Sequence, residues 1–275
     1  MPVGHSSVLA DTYGLTQGCV SRVINRVKDV LYMASLRETQ IPRGLEEARV
    51  TKRKLYGIAN FPKVIGIIDG THIPIAAPPV DEELYINRKN FHSLNIQVVC
   101  NADYIFQDYC CHFPGSKYDL FVWENSILNR RFQRGEFGDA FLLGDSGYPV
   151  NIHLMTPIGM PANAGEQRFN ISLKKIRVVV EQAIGIWKSR FKCVHHKGGT
   201  LCYSPLKCEK IAAATMLLHN FCRKRNLPLL DEVVVNPDDI DGPVFVPAPA
   251  GGGGWDARAI AGNAMRRQII AQHFS

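Results

Sequence analysis

The run Val64-Ile65-Gly66-Ile67-Ile68 constrains this chain more than any other stretch, because it is apolar at almost every position. So dense a run of β-branched residues is typical of a strand that is buried on both faces of a sheet. The run ends on Asp69, which is followed by Gly70. A carboxylate at the end of a rigid strand can bind a ligand without crossing the core. The alternative is an Asp-Gly turn that closes a hairpin.

The same arrangement occurs a second time downstream, which weighs against a simple turn. The run Phe141-Leu142-Leu143 leads through Gly144 to Asp145. A third carboxylate, Glu181, falls in the segment 172–191, where apolar residues recur at steps of three and four. That spacing predicts an amphipathic helix. The sequence therefore presents two aspartates at strand ends and one glutamate on a helix.

Three carboxylates brought together repel one another and raise one another's pKa unless cations neutralise them. Hard oxygen ligands suit Mg²⁺ or Mn²⁺. Two such ions can activate a water and stabilise the leaving oxygen of a phosphodiester. Asp69, Asp145 and Glu181 are therefore predicted to be both catalytic residues and ligands of Mg²⁺ or Mn²⁺. The pattern indicates phosphoryl-transfer chemistry on nucleic acid.

Short motifs spread over most of the chain carry a resemblance to a known family. They are Ile68-Asp69-Gly70-Thr71-His72-Ile73, Asn87-Arg88-Lys89, His92-Ser93-Leu94-Asn95, Phe113-Pro114-Gly115-Ser116, Leu142-Leu143-Gly144-Asp145-Ser146-Gly147-Tyr148, Val180-Glu181, Lys188-Ser189-Arg190-Phe191, Tyr203-Ser204-Pro205 and Leu217-Leu218-His219-Asn220. In this order they resemble the PIF/Harbinger family of DDE transposases and, more closely, nucleases derived from Harbinger transposases. The resemblance implies an RNase H-like α/β catalytic core, with two carboxylates near adjacent strand ends and the third on a helix packed across the sheet. It also implies a residual N-terminal helical region that is helix-turn-helix-like.

Asp119 lies where the chain departs from the family motif. After Pro-Gly-Ser and a spacer residue the family usually has His-Asp, and this chain has Tyr118-Asp119. Asp119 is therefore a candidate additional metal ligand. A helix is predicted from about Asp119 to Phe132, and capping of its N-terminus is the alternative role for Asp119.

The 275 residues divide into four predicted segments. Residues 1–60 are predicted to be a partial helical, helix-turn-helix-like region, and residues 61–227 the RNase H-like DDE nuclease domain. Residues 228–254 are rich in Pro, Gly and acidic side chains, a composition that cannot bury a core and predicts a flexible linker. Residues 255–275 are predicted to be a C-terminal helix or tail.

Basic side chains at two places are candidates for binding a nucleic acid, and the formal net charge of +7 agrees with this. In the first predicted helix, Arg22 and Arg26 lie on the side opposite to an apolar stripe. Further on, Arg88 and Lys89 adjoin Phe91. At both places a solvated surface is the alternative. The apolar stripe of the helix, predicted over Leu15–Leu31, consists of Val20, Val23, Ile24, Val27, Val30 and Leu31.

Together these features predict a divalent-metal-dependent DNA nuclease that hydrolyses phosphodiesters. The alternatives are a catalytically silent, domesticated DNA-binding or scaffold protein and an active transposase; the presence of all three carboxylates favours the enzyme. The expected partners are DNA and, by the resemblance, a Myb-like protein that helps with DNA targeting and nuclear entry, and a homo-oligomer is left open.

No segment approaches eighteen uninterrupted apolar residues, so no membrane contact is expected. Eight cysteines without Cys-x-x-Cys pairs favour reduced thiols, and the expected location is nucleus and cytoplasm.

Overall fold

The strand predicted from the apolar run lies at the centre of a five-stranded sheet. The computed structural model describes residues 10–42, 44–229 and 253–275. The sheet has the order β3-β2-β1-β4-β5, and its class, mixed α/β, is as predicted. β1 pairs antiparallel with β2 and parallel with β4, while β3 is antiparallel to β2 and β5 parallel to β4. The strands are β1 (Val64–Pro74), β2 (Ser93–Cys100), β3 (Phe106–Pro114), β4 (Phe141–Leu143) and β5 (Leu154–Met155).

Helices cover both faces of this sheet, which explains why the first part of β1, residues 64–68, is apolar at almost every position. The helices are α1 (Gln17–Glu38), α2 (Leu45–Ala59), α3 (Asp119–Asn125), α4 (Ile127–Gln133), α5 (Ala164–Arg190), α6 (Pro205–Lys224) and α7 (Gly253–His273). Successive strand residues point to opposite faces. Ile67 therefore belongs to a core cluster with residues of α5 and α6. Ile68 belongs to a second cluster with residues of α3 and α4.

The single helix predicted from Asp119 to Phe132 is in fact two short helices. α3 ends before Ser126, whose extended backbone cannot continue the helix. The Ser126 hydroxyl then accepts a hydrogen bond from the main-chain N–H of Asn129 and so caps α4. The break lets α3 and α4 follow the sheet surface separately.

The apolar stripe predicted for the first helix is not a packing face. Val23, Val27 and Val30 are each more than half exposed, and of the six stripe residues only Val20 is buried. α1 packs against α6 instead, with Asp29 accepting a hydrogen bond from Lys210. The face of a helix that is covered depends on which distant element packs on it, and periodicity alone could not show that α6 contacts the other side.

The C-terminal helix α7 packs back on the domain. Phe274, just beyond it, is buried against Phe61 and Phe169. The predicted linker, residues 228–254, lies outside the described residues except at its two ends. Among the helices that the structure describes, none is both long enough and apolar enough to cross a membrane.

Candidate active site

Asp69 lies inside β1 and not at its end. β1 pairs with β2 from Ile67 to Pro74, whereas its pairing with β4 stops at Ile67 and Leu143. Asp69 therefore stands two residues beyond the last β1–β4 pair, and the residue is buried, with 8% of its surface exposed. The predicted strand end and the alternative Asp-Gly turn are both wrong, because β2 keeps β1 extended past this residue.

Asp145 comes from the strand next to β1. It follows β4 with only Gly144 between them, and it is buried. Its Oδ1 accepts a hydrogen bond of 2.9 Å from the main-chain N–H of Gly147. Because β4 is the parallel neighbour of β1, the carboxylates of Asp69 and Asp145 belong to the same region of the sheet.

Glu181 reaches the site from α5, together with a cation one helical turn earlier. Arg177 Nη2 lies 3.4 Å from Glu181 Oε1 and 3.8 Å from Asp69 Oδ1. All three side chains are largely shielded from solvent. One guanidinium group therefore connects the helix carboxylate with the strand carboxylate.

Asp119 approaches from the opposite face of the sheet. It is the first residue of α3 and Tyr118 is the N-cap, so the predicted capping role is wrong. Asp119 Oδ1 accepts a hydrogen bond of 3.2 Å from Asn95 Nδ2 on β2. The carboxylate lies over Gly70, and a Cβ at that position would overlap Asp119 Oδ1. Glycine at position 70 is what permits this close approach.

The four carboxylates act on one another electrostatically. Burial raises the pKa of the Asp69 carboxyl well above its usual range, and the Arg177 guanidinium opposes that shift. The charges of Asp145, Asp119 and Glu181 raise the same pKa further. The structure therefore brings together all the predicted carboxylates.

Tyr148 adds a neutral hydroxyl to this acidic cluster. Burial raises its pKa well above the usual range, and the charges of Asp119, Asp69 and Asp145 raise it further. Its hydroxyl is buried and has no hydrogen-bond partner within the described part of the chain. The hydroxyl therefore stays protonated beside the carboxylates.

The chemistry of the donors fits a divalent cation. Carboxylate oxygens are hard ligands, and a cation would relieve the repulsion that raises the pKa of Asp69. No three His, Cys, Asp or Glu side chains among residues 10–42, 44–229 and 253–275 are already arranged to hold a metal ion. The Arg177 guanidinium instead lies between Asp69 and Glu181. To hold an ion, these carboxylates would have to turn away from Arg177.

A comparison with protein families agrees with this arrangement. A family model described as "DDE superfamily endonuclease" matches residues 68–220, more than half of the chain, and includes every carboxylate of the cluster. The chain belongs to this DDE endonuclease family. The family predicted from the sequence motifs is therefore confirmed.

Two of three relatives of this DDE-family chain carry nuclease names. The "Putative nuclease HARBI1" of Mus musculus is 31% identical over 97% of this chain and 75% of its own length. The Homo sapiens protein of the same name is 30% identical with the same coverage. The "Protein ALP1-like" of Arabidopsis thaliana is 25% identical over 78% of this chain and 55% of its own length. No solved structure matches.

The residues predicted to bind nucleic acid in this DDE-family chain fall in two places. Arg88 lines a cavity of about 230 Å³ that Asp119 also lines. Lys89 lines a neighbouring cavity of about 700 Å³. Arg22 and Arg26 are exposed on α1, and within the described residues no hydrogen bond or ion pair joins them to the carboxylates. Of these residues, the structure therefore places Arg88 and Lys89 near the site.

Three residues of the site were not predicted from the sequence to have a role. Arg177 had a signal, because it precedes Glu181 by four residues on a helix. Tyr148 had a weaker signal, its place three residues after Asp145. Asn95 belongs to the motif His92-Ser93-Leu94-Asn95, but its contact with Asp119 depends on how α3 packs over β2, which the motif does not show.

Proposed function

We propose that this DDE-family chain is a divalent-metal-dependent DNA nuclease. Asp69, Asp145 and Glu181 are the catalytic residues and metal ligands, and Asp119 is an additional ligand. The observation that carries the proposal is the meeting of four carboxylates from β1, the end of β4, α3 and α5, whose charges also raise the pKa of Asp69. Carboxylates that destabilise one another in this way are typical of metal and active sites.

We infer that the catalytic core is RNase H-like. The placement of the carboxylates supports this, because Asp69 and Asp145 come from adjacent parallel strands and Glu181 from a helix packed on the sheet. The family resemblance implies the same placement.

Mg²⁺ or Mn²⁺, when bound, would supply charge stabilisation for a phosphodiester and activation of the attacking water or 3′-hydroxyl. The chain's own residues hold the geometry. Pairing with β2 fixes the backbone of Asp69 and of the residues before and after it, and the Gly147 N–H orients the Asp145 carboxylate. Glu181 is carried by a 27-residue helix whose apolar face is buried in the core. Ligands on such rigid elements need little reorganisation during the reaction.

A catalytically silent DNA-binding or scaffold protein is the alternative. The observation that favours it is the position of Arg177, which is paired with two of the three catalytic carboxylates. In a silent protein this pairing would be permanent, and the carboxylates would have only a structural role.

Cleavage of supercoiled plasmid and short duplexes with Mg²⁺ or Mn²⁺ tests the proposal. We expect Asp145→Asn and Glu181→Gln to lower the cleavage rate by at least about 100-fold, because each removes a negative ligand. EDTA should abolish cleavage. Glu47→Gln, an exposed position on α2, is the matched control and should cleave like the wild type.

Two outcomes would contradict the nuclease. Cleavage that survives in both variants would come from another site or a contaminant. No cleavage by any form, together with no Mn²⁺ binding in calorimetry, would favour the silent protein.

We also propose DNA and a Myb-like protein as partners and a location in nucleus and cytoplasm. Only the family resemblance supports the Myb-like partner. Imaging of the tagged chain with and without a co-expressed Myb-like protein tests it. An unchanged nuclear fraction would contradict this part of the proposal.

A further inference from the structure

The cavity of about 700 Å³ that Lys89 lines lies near the carboxylates. Two elements, β1 and α5, run from the carboxylates to this cavity. On β1, His72 lies three residues after Asp69, a distance of about 10 Å along the strand. On α5, Lys188 lies seven residues after Glu181, two helical turns or about 10.5 Å along the axis. Both His72 and Lys188 line the cavity.

The cavity also shares a lining residue with the smaller cavity beside the acidic cluster. His72 lines both this cavity and the smaller one of about 230 Å³, which Asp119 and Gly70 line. The two cavities are therefore adjacent, with His72 between them.

A loop held by one buried side chain forms the outer wall. Asn87 is 4% exposed, and its Oδ1 accepts hydrogen bonds from the main-chain N–H groups of Lys89 and Phe91. Its Nδ2 donates to Ser93 Oγ, which in turn lies 2.9 Å from His72 Nδ1. The loop is therefore fixed to β1 and β2, and the lining positions of Lys89 and Phe91 are preorganised.

The lining combines three kinds of surface. Phe91 supplies an aromatic ring, and Pro74 and Ala76 supply apolar surface. Lys89 supplies positive charge, as does the buried Lys188, whose Nζ donates a 3.0 Å hydrogen bond to the His72 carbonyl oxygen. Aromatic and apolar surface suits a nucleobase, and ammonium groups suit its phosphate. The volume lies within the range of about 300–1,000 Å³ that is usual for cavities binding small organic groups.

We propose that this cavity holds one nucleotide of the DNA substrate, turned out of the base stack next to the phosphodiester at the carboxylates. The inference rests on the proposed function for the identity of the polymer. Its base would stack on Phe91, and Lys89 and Lys188 would contact its phosphate. Turning a nucleotide out of a duplex costs least where it is mismatched. The protein should therefore bind DNA with an unpaired nucleotide more tightly than a perfect duplex.

Fluorescence anisotropy with the full chain in Ca²⁺ buffer tests this preference. The probes are short duplexes that are identical except for one mismatch, and we expect the mismatched duplex to bind about tenfold more tightly. Phe91→Ala should abolish the preference, and Phe91→Trp should retain it because the ring surface remains. Phe221→Ala, which removes an exposed ring on α6, is the matched control and should behave like the wild type. Lys89→Ala gives a second test that leaves the aromatic ring intact, and it should weaken binding of the mismatched duplex more than that of the perfect one.

Equal binding of mismatched and perfect duplexes by the wild type would overturn the inference, as would a preference that survives in both Phe91→Ala and Lys89→Ala. Competition by a free deoxynucleoside monophosphate, without any preference among duplexes, would overturn the assignment to a DNA strand.

Cleavage is measured separately with Mg²⁺ or Mn²⁺. Cleavage without a preference for the mismatched duplex would support the nuclease and contradict the proposed role of the cavity. A preference for the mismatched duplex without cleavage would support the role of the cavity and contradict the nuclease. No binding of any DNA would remove both.

Discussion

Arg177 is the residue on which the electrostatics of the site depend most directly. Its guanidinium lies near Glu181 and Asp69, and its side chain is only 15% exposed. It opposes the rise in the pKa of Asp69 that burial and the neighbouring carboxylates cause. Arg177 therefore stabilises a cluster of negative charges that a divalent cation could stabilise in its place.

Substitution of Arg177 by glutamine should make the stability of the protein dependent on metal. In EDTA at neutral pH we expect the free energy of unfolding to fall by about 2 kcal/mol, because shielded carboxylates lose their cation. Mn²⁺ should then stabilise the variant more than the wild type. Chemical denaturation with and without Mn²⁺ measures both effects.

Arg49→Gln is the matched control for that substitution. It breaks an ion pair between Arg49 and Glu46, whose side chains are 73% and 82% exposed, and should change stability little. Equal losses of stability in the Arg49 and Arg177 variants would contradict the role of Arg177.

Asp69 should make the protein less stable as the pH rises, which is opposite to the usual effect of a carboxylate. Its pKa is raised in the folded state, so the native state loses stability as the pH rises from the unfolded value of about 3.9 through the folded value. Asp69→Asn should remove this loss and raise the free energy of unfolding at neutral pH in EDTA. Urea unfolding across the acid to neutral range tests this.

Asp139→Asn provides a control of opposite sign. Hydrogen bonding to Lys63 and the nearby charge of Lys52 lower the pKa of Asp139, so its contribution to stability is lost as the pH falls. Asp139→Asn should therefore lower stability at neutral pH. The same direction of change in the Asp69 and Asp139 variants would contradict the assignment.

At the scale of elements, the site depends on how closely α3 lies against β1. Gly70 has no side chain, and Asp119 occupies the space that a Cβ would need. β2 contributes Asn95, which donates a hydrogen bond to the same carboxylate. Three separate elements must therefore keep their spacing for Asp119 to reach the other carboxylates.

Gly70→Ala should displace Asp119 from the cluster. We expect a loss of stability of about 1 kcal/mol or more from overpacking, together with a fall in cleavage rate. Gly57→Ala is the matched control on α2, where nothing lies within 4 Å of the added Cβ, and it should stabilise the helix by about 0.5–1 kcal/mol. Thermal unfolding and plasmid cleavage measure the two effects. If Gly70→Ala had the stability and the cleavage rate of the wild type, neither property would depend on the close approach of Asp119 to β1.

At the scale of the whole molecule, the two ends of the described chain are attached in different ways. The contacts of α1 with α6 and β3 include polar side chains, such as Lys210 with Asp29 and Ser35 with Tyr109. The C-terminal end is attached through the core, because Phe274 is buried and Arg168 Nε donates a 2.7 Å hydrogen bond to its carbonyl oxygen. The C-terminus is therefore part of the domain that carries the site.

Phe274→Ala should destabilise the whole domain. Its ring lies 5.4 Å from that of Phe61 and 5.7 Å from that of Phe169, centroid to centroid. We expect the free energy of unfolding to fall by about 3 kcal/mol, because a buried aromatic ring is replaced by a cavity. Ile260→Ala on α7, at a position that is 66% exposed, should have little effect. Differential scanning calorimetry that gave both variants the wild-type Tm would show that the C-terminus is dispensable for folding.

The central strand and the long helix could be predicted from the sequence, and so could the three carboxylates that are proposed to be catalytic. The apolar run at 64–68 specified a strand buried on both faces, and the steps of three and four at 172–191 specified the helix that carries Glu181. Asp69, Asp145 and Glu181 followed from their positions relative to these patterns. Such signals are local, because periodicity and apolar density act over one strand or a few helical turns.

Only the tertiary structure decided which segments meet. Pairing with β2 keeps Asp69 inside a strand, and the packing of α3 puts Asp119 over Gly70. Contact with α6 leaves the apolar stripe of α1 exposed, and the bonds of Asn87 place Phe91 at a cavity. Each outcome depends on which of several distant surfaces covers a given face. Burial and pairing between distant segments make that choice, and the local pattern of either segment is compatible with more than one partner.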